Sequence, residues 1–201
     1  MQPNIKIILG VCIVGVVVIV FVFFGMKKPA VKNYPSQGDG IIVFGDSLVV
    51  GVGSSSGTGF FGQLSALTRE PIKNYGRSGD TTADGLARLP QMLAENPHPK
   101  VVLVLLGGND YLRKVPKVQT FANLRTIITE IQNTGAVVIL LGVRGGPLTD
   151  QFESSFEKLA SEMQVGYVSN VLSGLYGNSN LMSDAIHPND AGYAKIAQRV
   201  Y

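Results

Sequence analysis

Residues 101–110 read VVLVLLGGND, an unbroken apolar run ending in a glycine-rich turn. No position from Val101 to Leu106 is polar, so a strand here has both faces covered. Strands of that kind belong to parallel sheets packed between helices, because a half-exposed strand alternates apolar with polar. Residues 136–141, AVVILL, repeat the pattern. Shorter runs at Ile41–Phe44, Ile72–Asn74 and Val165–Ser169 supply three more strand candidates. Between the strands, apolar residues recur at helical spacing. Phe60, Phe61, Leu64 and Leu67 share one face, and Ala83, Leu86, Leu89 and Leu93 share another, with Pro90 expected to bend that helix. Val118, Phe121, Leu124, Ile128 and Ile131 form a third face. Phe152, Phe156, Leu159 and Met163 form a fourth, and Tyr193, Ile196, Ala197 and Val200 the last. Strands alternating with helices predict an α/β fold: a three-layer α/β/α sandwich around a five-stranded parallel sheet of flavodoxin-like order. Such sheets bind ligands beyond the carboxyl ends of their strands, so the loops there are where chemistry belongs.

Composition narrows the function classes. Of 201 residues 45% are hydrophobic and 15% charged, with a net charge of +3, which excludes a disordered chain. The Lys and Arg residues are scattered rather than gathered in a stripe, so no nucleic-acid partner is expected. Cys12 is the single cysteine of these residues, which excludes a disulfide within them and any multi-cysteine metal site. His98 and His187 are the only histidines, too few for a histidine-rich site. Neither a metal nor an organic cofactor is expected.

Ile7 to Met26 carries no charge and only three glycines. As a helix it would run about 30 Å, the thickness of a bilayer's hydrocarbon core. A buried core helix and a cleaved signal peptide are the alternatives. The run exceeds the roughly 7–15 residues of a signal's apolar region, and Gly25-Met26-Lys27-Lys28 is a poor cleavage site. Leu9-Gly10-Val11 is likewise a weak lipoprotein box before Cys12. The expected organisation is a short segment at 1–6, a single-pass membrane anchor at 7–26, a Pro- and Gly-bearing linker at 27–40 and one globular domain at 41–201. Lys6 precedes the anchor and Lys27, Lys28 and Lys32 follow it, which leans towards a cytoplasmic domain.

Four blocks occupy the loops after the strands. They are Gly45-Asp46-Ser47-Leu48, Asn74-Tyr75-Gly76-Arg77-Ser78-Gly79, Gly107-Gly108-Asn109-Asp110 and Asp184-Ala185-Ile186-His187-Pro188. Each alone is weak, since Gly, Asp, Asn and Ser are ordinary turn residues. Their joint order resembles the SGNH, or GDSL, hydrolase family over essentially all of the chain from residue 40 onward, and is most similar to its bacterial thioesterase/arylesterase/lysophospholipase branch. The resemblance implies a Ser-His-Asp triad of Ser47, His187 and Asp184. It also implies an oxyanion hole built from the Ser47 N–H, the Gly76 N–H and the Asn109 amide, and a location outside the cytoplasm.

The residues fit that chemistry on their own terms. Ser47 stands where a strand ends and a helix begins, so its N–H is free, as at any helix start. Pro188 keeps His187 out of a helix interior, and Asp184, three residues earlier, can reach the same imidazole. Taken alone, His187 also reads as a polar residue at a helix start, Gly76 as a plain turn glycine and Asn109 as an Asx-turn. His98, in Asn96-Pro97-His98-Pro99, reads as a solvated loop residue at the far edge of the sheet. Asp46 and Asp110 are assigned structural roles, Asn74, Ser78 and Thr81 the anchoring of the second loop, and Arg144-Gly145-Gly146-Pro147 a place beside the substrate.

The expected activity is hydrolysis of lipid-like or small acyl esters or thioesters, with the membrane as partner through the N-terminal helix. The alternatives are a carbohydrate O-acetylesterase and a non-catalytic binding module on the same fold. The Gly- and Ser-rich stretch from Gly51 to Gly59 lacks the GK[ST] ending of a phosphate loop, which argues against a nucleotide site.

Overall fold

The computed structural model describes residues 30–143 and 152–201. Val31–Tyr201 forms one compact unit. Its described elements, in order, are β1 (Asp39–Gly45), α1 (Ser47–Val50), α2 (Gly59–Thr68), β2 (Ile72–Gly76), α3 (Thr82–Glu95) and β3 (Pro99–Leu105). There follow α4 (Gly108–Leu112), α5 (Lys117–Asn133), β4 (Val137–Leu141), α6 (Glu153–Met163), β5 (Gly166–Val168) and α7 (Asp190–Val200). The strands form one parallel sheet in the order β2-β1-β3-β4-β5, with Gly45 in register with both Gly76 and Leu105. That is the flavodoxin-like order expected.

Alternation along each strand divides the core in two. Ile42, Phe44, Val102, Val104, Val138 and Leu140 face α3, α5 and α6, meeting Leu89, Leu124, Ile127, Ile128, Ile131 and Phe156. Val43, Leu103, Leu105 and Leu141 face the other way, onto Phe60 and Leu64 of α2 and Tyr193 and Ile196 of α7. All of these side chains are buried, each contributing about 1.5–3 kcal/mol of apolar transfer. This is why β3 and β4 read as continuously apolar: neither face of the inner sheet meets water, whereas edge strand β2 exposes Lys73 and Asn74.

Helix faces depart from the spacing in detail. In α3 the inward line is Gly85, Leu89 and Met92, while Ala83 is exposed. Gly85 sets that choice, because a Cβ there would stand 2.6 Å from Leu106 Cδ1. The helix is continuous from Thr82 to Glu95, with Pro90 on its exposed side. Leu67 and Val118, expected inside, are exposed.

The chain enters at the sheet edge where the strands begin. Lys32 N–H donates to Gln164 O (2.8 Å), the Asn33 amide to Gln132 O (2.8 Å) and Ala136 O (2.9 Å), and Asp39 N–H to His98 O (2.9 Å). The later part of the 27–40 stretch is therefore tied to the domain. The expected anchor at 7–26, Cys12 and Arg144–Pro147 lie outside the described residues. Among the described residues no helix is long and apolar enough to cross a membrane.

Candidate active site

Ser47 is delivered by a turn that only glycine permits. A Cβ on Gly45 would lie 2.2 Å from Leu105 O and 2.6 Å from Val49 Cγ2, so β1 bends directly into α1 against the neighbouring strand. Asp46 caps α1, its Oδ1 accepting the Leu48 N–H at 3.0 Å. Ser47 is the first residue of the helix, and its N–H has no acceptor among the described residues.

His187 arrives on the tight loop before α7. Ser183 N–H donates to His187 O at 2.8 Å, and Met182 bridges Pro188 in antiparallel fashion. Within that loop Asp184 Oδ1 accepts the backbone N–H groups of Ile186 (2.8 Å) and His187 (2.7 Å). Its other oxygen, Oδ2, lies 2.8 Å from His187 Nδ1, and His187 Nε2 lies 3.0 Å from Ser47 Oγ. With Nδ1–H donating to Asp184, Nε2 is the acceptor for the Ser47 hydroxyl. The imidazole bond, with those backbone donors, pulls the Asp184 carboxyl down to about 2. The carboxylate stays half-exposed, at 52%, whereas the imidazole is 15% exposed.

Asn109 sits in the short helix α4, which follows Gly107 (φ +114°). Its amide donates to Asp80 O at 3.0 Å and makes a longer contact of 3.4 Å to Asp46 Oδ2. Asp110, beside it, is fully buried and accepts from Thr82 N–H (2.8 Å), the Thr82 hydroxyl (2.6 Å) and the Thr120 hydroxyl (3.2 Å), tying α4 to α3 and α5. Asp46 is 2% exposed, and burial raises its carboxyl to about 7. The structural roles expected for these two aspartates agree with their contacts. Arg88 stabilises the same floor: Nε donates to Asp80 (2.5 Å), Nη1 to Tyr75 O (2.9 Å) and Nη2 to Gly45 O (2.8 Å), over the Phe44 ring.

Gly76 departs from its expected place. Its N–H donates to Asn74 Oδ1 at 2.7 Å, and its Cα packs on the Val49–Val50 backbone, where a Cβ would meet Val50 N at 2.5 Å. It is a packing glycine at the end of β2, with no N–H left for a ligand. Gly79, three residues on, differs. It has φ +83°, its N–H has no acceptor among the described residues, and the next carbonyl, of Asp80, holds Asn109. The Thr81–Asp84 capping box was the usable signal, because it fixes the start of α3 and so the turn before it. His98 is exposed at the start of β3, as expected.

Ser47, His187, Asn109 and Asp46 line one cleft, together with Leu48, Gly108, Tyr111, Leu112, Val143, Leu172, Tyr176 and Ile186. Tyr111, Leu112, Tyr176 and Ile186 are among the exposed large apolar side chains, so the polar chemistry has an apolar rim. Among the described residues no cluster of three or more His, Cys, Asp or Glu is placed to hold a metal ion.

Residues 43–195 match the GDSL-like lipase/acylhydrolase family. The chain belongs to that family. It is accordingly a carboxylic ester hydrolase. Among GDSL-like relatives, "Esterase TesA" of Pseudomonas aeruginosa is 31% identical over 172 residues, covering 80% of this chain and 85% of the relative. "Thioesterase 1/protease 1/lysophospholipase L1" of Escherichia coli K12 is 33% identical over 159 residues, covering 75% of this chain and 76% of the relative. The solved structure "Crystal Structure of TesA" superposes with a TM-score of 0.75 at 31% identity, covering 81% of this chain and 96% of that one.

Proposed function

We propose that this GDSL-like chain is a serine esterase/thioesterase acting on acyl esters of lipid-like or small acyl character. The carrying observation is the continuous hydrogen-bonded chain from Ser47 Oγ to His187 Nε2 (3.0 Å) and from Nδ1 to Asp184 (2.8 Å). Ser47 attacks the acyl carbonyl while His187 takes its proton, and the ionised Asp184 keeps Nε2 turned towards the serine. The tetrahedral oxyanion is held by the Ser47 N–H and the Asn109 amide. Asn109 stays anchored through Asp80 O, and the oxyanion replaces its 3.4 Å contact with Asp46. Gly79 N–H takes the third position in place of Gly76. The proton on His187 then passes to the leaving alcohol or thiol, and water deacylates Ser47 through the same imidazole. The apolar rim of Tyr111, Leu112, Tyr176 and Ile186 supports an acyl chain as the group bound there.

The uncharged run at 7–26 supports a membrane anchor; the extracytoplasmic side proposed for the hydrolase domain rests on the family resemblance, against the lean of the flanking lysines. Protease digestion of the domain in intact cells tests that placement; protection until the membrane is opened overturns it.

Turnover of p-nitrophenyl esters from acetate to palmitate tests the chemistry. Ser47→Ala should lower kcat by roughly 10⁶ while leaving the unfolding midpoint near that of the wild type. Near-wild-type turnover by the variant would refute the serine mechanism. Acetyl-only activity would redirect the assignment to a carbohydrate O-acetylesterase, and a folded wild type without turnover at any length to a binding module.

A further inference from the structure

The stretch GVGSSSGTG at 51–59 leaves the helix that carries Ser47 and crosses to the segment that carries His187. Four successive residues of it are held there. Val52 O accepts the Tyr193 hydroxyl at 2.7 Å. A Cβ on Gly53 would stand 2.5 Å from Pro188 O and 3.3 Å from His187 Cβ, and φ is +92°, so only glycine brings the backbone this close. Ser54 Oγ donates to Asp190 Oδ1 at 2.6 Å. Ser55 donates twice to the same carboxylate, its N–H to Oδ1 at 3.1 Å and its hydroxyl to Oδ2. The Ser54 hydroxyl, then that of Ser55, holds the Asp190 carboxyl below its ordinary range. The main chain of Asp190 is pinned in turn by Gln63 Nε2, which donates to its carbonyl at 3.2 Å.

Ser47 and His187 are 140 residues apart in the chain. The bond from Asp184 is local, so it orients the imidazole without setting its distance from the serine. Packing of Phe60 and Leu64 against Tyr193 and Ile196 brings the two helices together coarsely. A hydroxyl-to-imidazole contact needs finer control, since a misplacement of about 1 Å can cost on the order of a hundredfold in rate. We propose that Asp190 is a positioning residue for the Ser47–His187 pair: by clamping Ser54 and Ser55 it braces the Gly51–Gly59 loop against the His187 loop and sets their 3.0 Å separation. The kinetic consequence rests on the esterase reading; the positional one does not.

Two measurements on the full chain test the brace. In ester turnover, Asp190→Ala should lower kcat about 10- to 100-fold, with KM changed less than about twofold. Asp190→Asn, which keeps one acceptor oxygen, should fall between the two. Ser54→Ala/Ser55→Ala should lose about as much as Asp190→Ala, and the triple variant no more, because the groups act as one unit. In NMR, the two histidines of the chain are readily told apart. In Asp190→Ala the His187 Nε2 nitrogen shift should move towards its value in Ser47→Ala, while His98 stays put. A fall in stability with kcat preserved, additive losses, or an unmoved Nε2 signal would each overturn the brace. If the wild type has no serine-dependent turnover, the esterase reading fails, and the Nε2 signal alone decides the positional claim.

Discussion

Asp46 does two jobs at one position, capping the helix of Ser47 and facing the amide of Asn109. It is buried near Asp80, Asp110 and His187, and desolvation is the largest influence on its carboxyl, which sits at about 7. A carboxyl raised in the folded state binds more protons folded than unfolded, so it stabilises fully below about pH 4 and that stability is lost as pH rises towards 7. The span is on the order of 4 kcal/mol. Asp46→Asn keeps an acceptor for the Leu48 N–H but cannot ionise, so its stability should decline less than that of the wild type between pH 4.5 and 7.5. Urea melts at the two pH values check this; an identical decline in both proteins would show that Asp46 does not titrate there. At this scale the meeting of Ser47, Asp184 and His187, and the place of Asn109 on the same cleft, were legible, because the side chains themselves carry the signal. Gly76 and Gly79 were not separable, because a glycine's part depends on where its N–H points. That direction is set by Asn74, which takes the Gly76 N–H.

Among the elements, α3 carries the most weight for the site, since Asp80 just before it holds both Asn109 and Arg88. Its start is fixed by a reciprocal cap: Thr81 Oγ1 accepts the Asp84 N–H at 3.3 Å, and Asp84 Oδ2 accepts the Thr81 N–H at 2.9 Å. Thr81→Ala should lower stability by about 1 kcal/mol in urea titration and weaken turnover through the Asp80–Asn109 link. Unchanged stability would mean that the Asp80–Arg88 pair alone holds the turn. Helical periodicity located α2, α3, α5, α6 and α7 but not the short α1 and α4, and it placed most inward residues while misplacing Leu67, Ala83 and Val118. The inward face of α3 follows Gly85, a residue with no hydrophobic signal, because backbone proximity to Leu106 mattered more than side-chain size. Val118 is exposed in the first turn of α5, where Thr120, buried and bonded to Asp110, takes the inward position instead.

Across the whole molecule, the parallel, helix-covered sheet followed from strands apolar on both faces, and its polarity placed the chemistry at one edge. The Gly51–Gly59 loop was the large piece not foreseen, because its partners lie over 130 residues away and leave no local pattern. Both core layers lie within Val31–Tyr201. A fragment of those residues should unfold in one cooperative transition and retain the turnover of the full chain, as calorimetry and ester assay would show; loss of either would make residues 1–30 part of the fold. The entry point of the chain has a practical corollary. Val31 and Lys32 lie at the edge where strands start, and Ser47 follows the end of β1, across seven strand residues. That is roughly 20 Å of separation. A bead, dye or fusion partner attached before Val31 therefore leaves the mouth of the cleft unobstructed, and one appended after Tyr201 starts at the far end of α7, eleven helical residues from the end that opens beside His187.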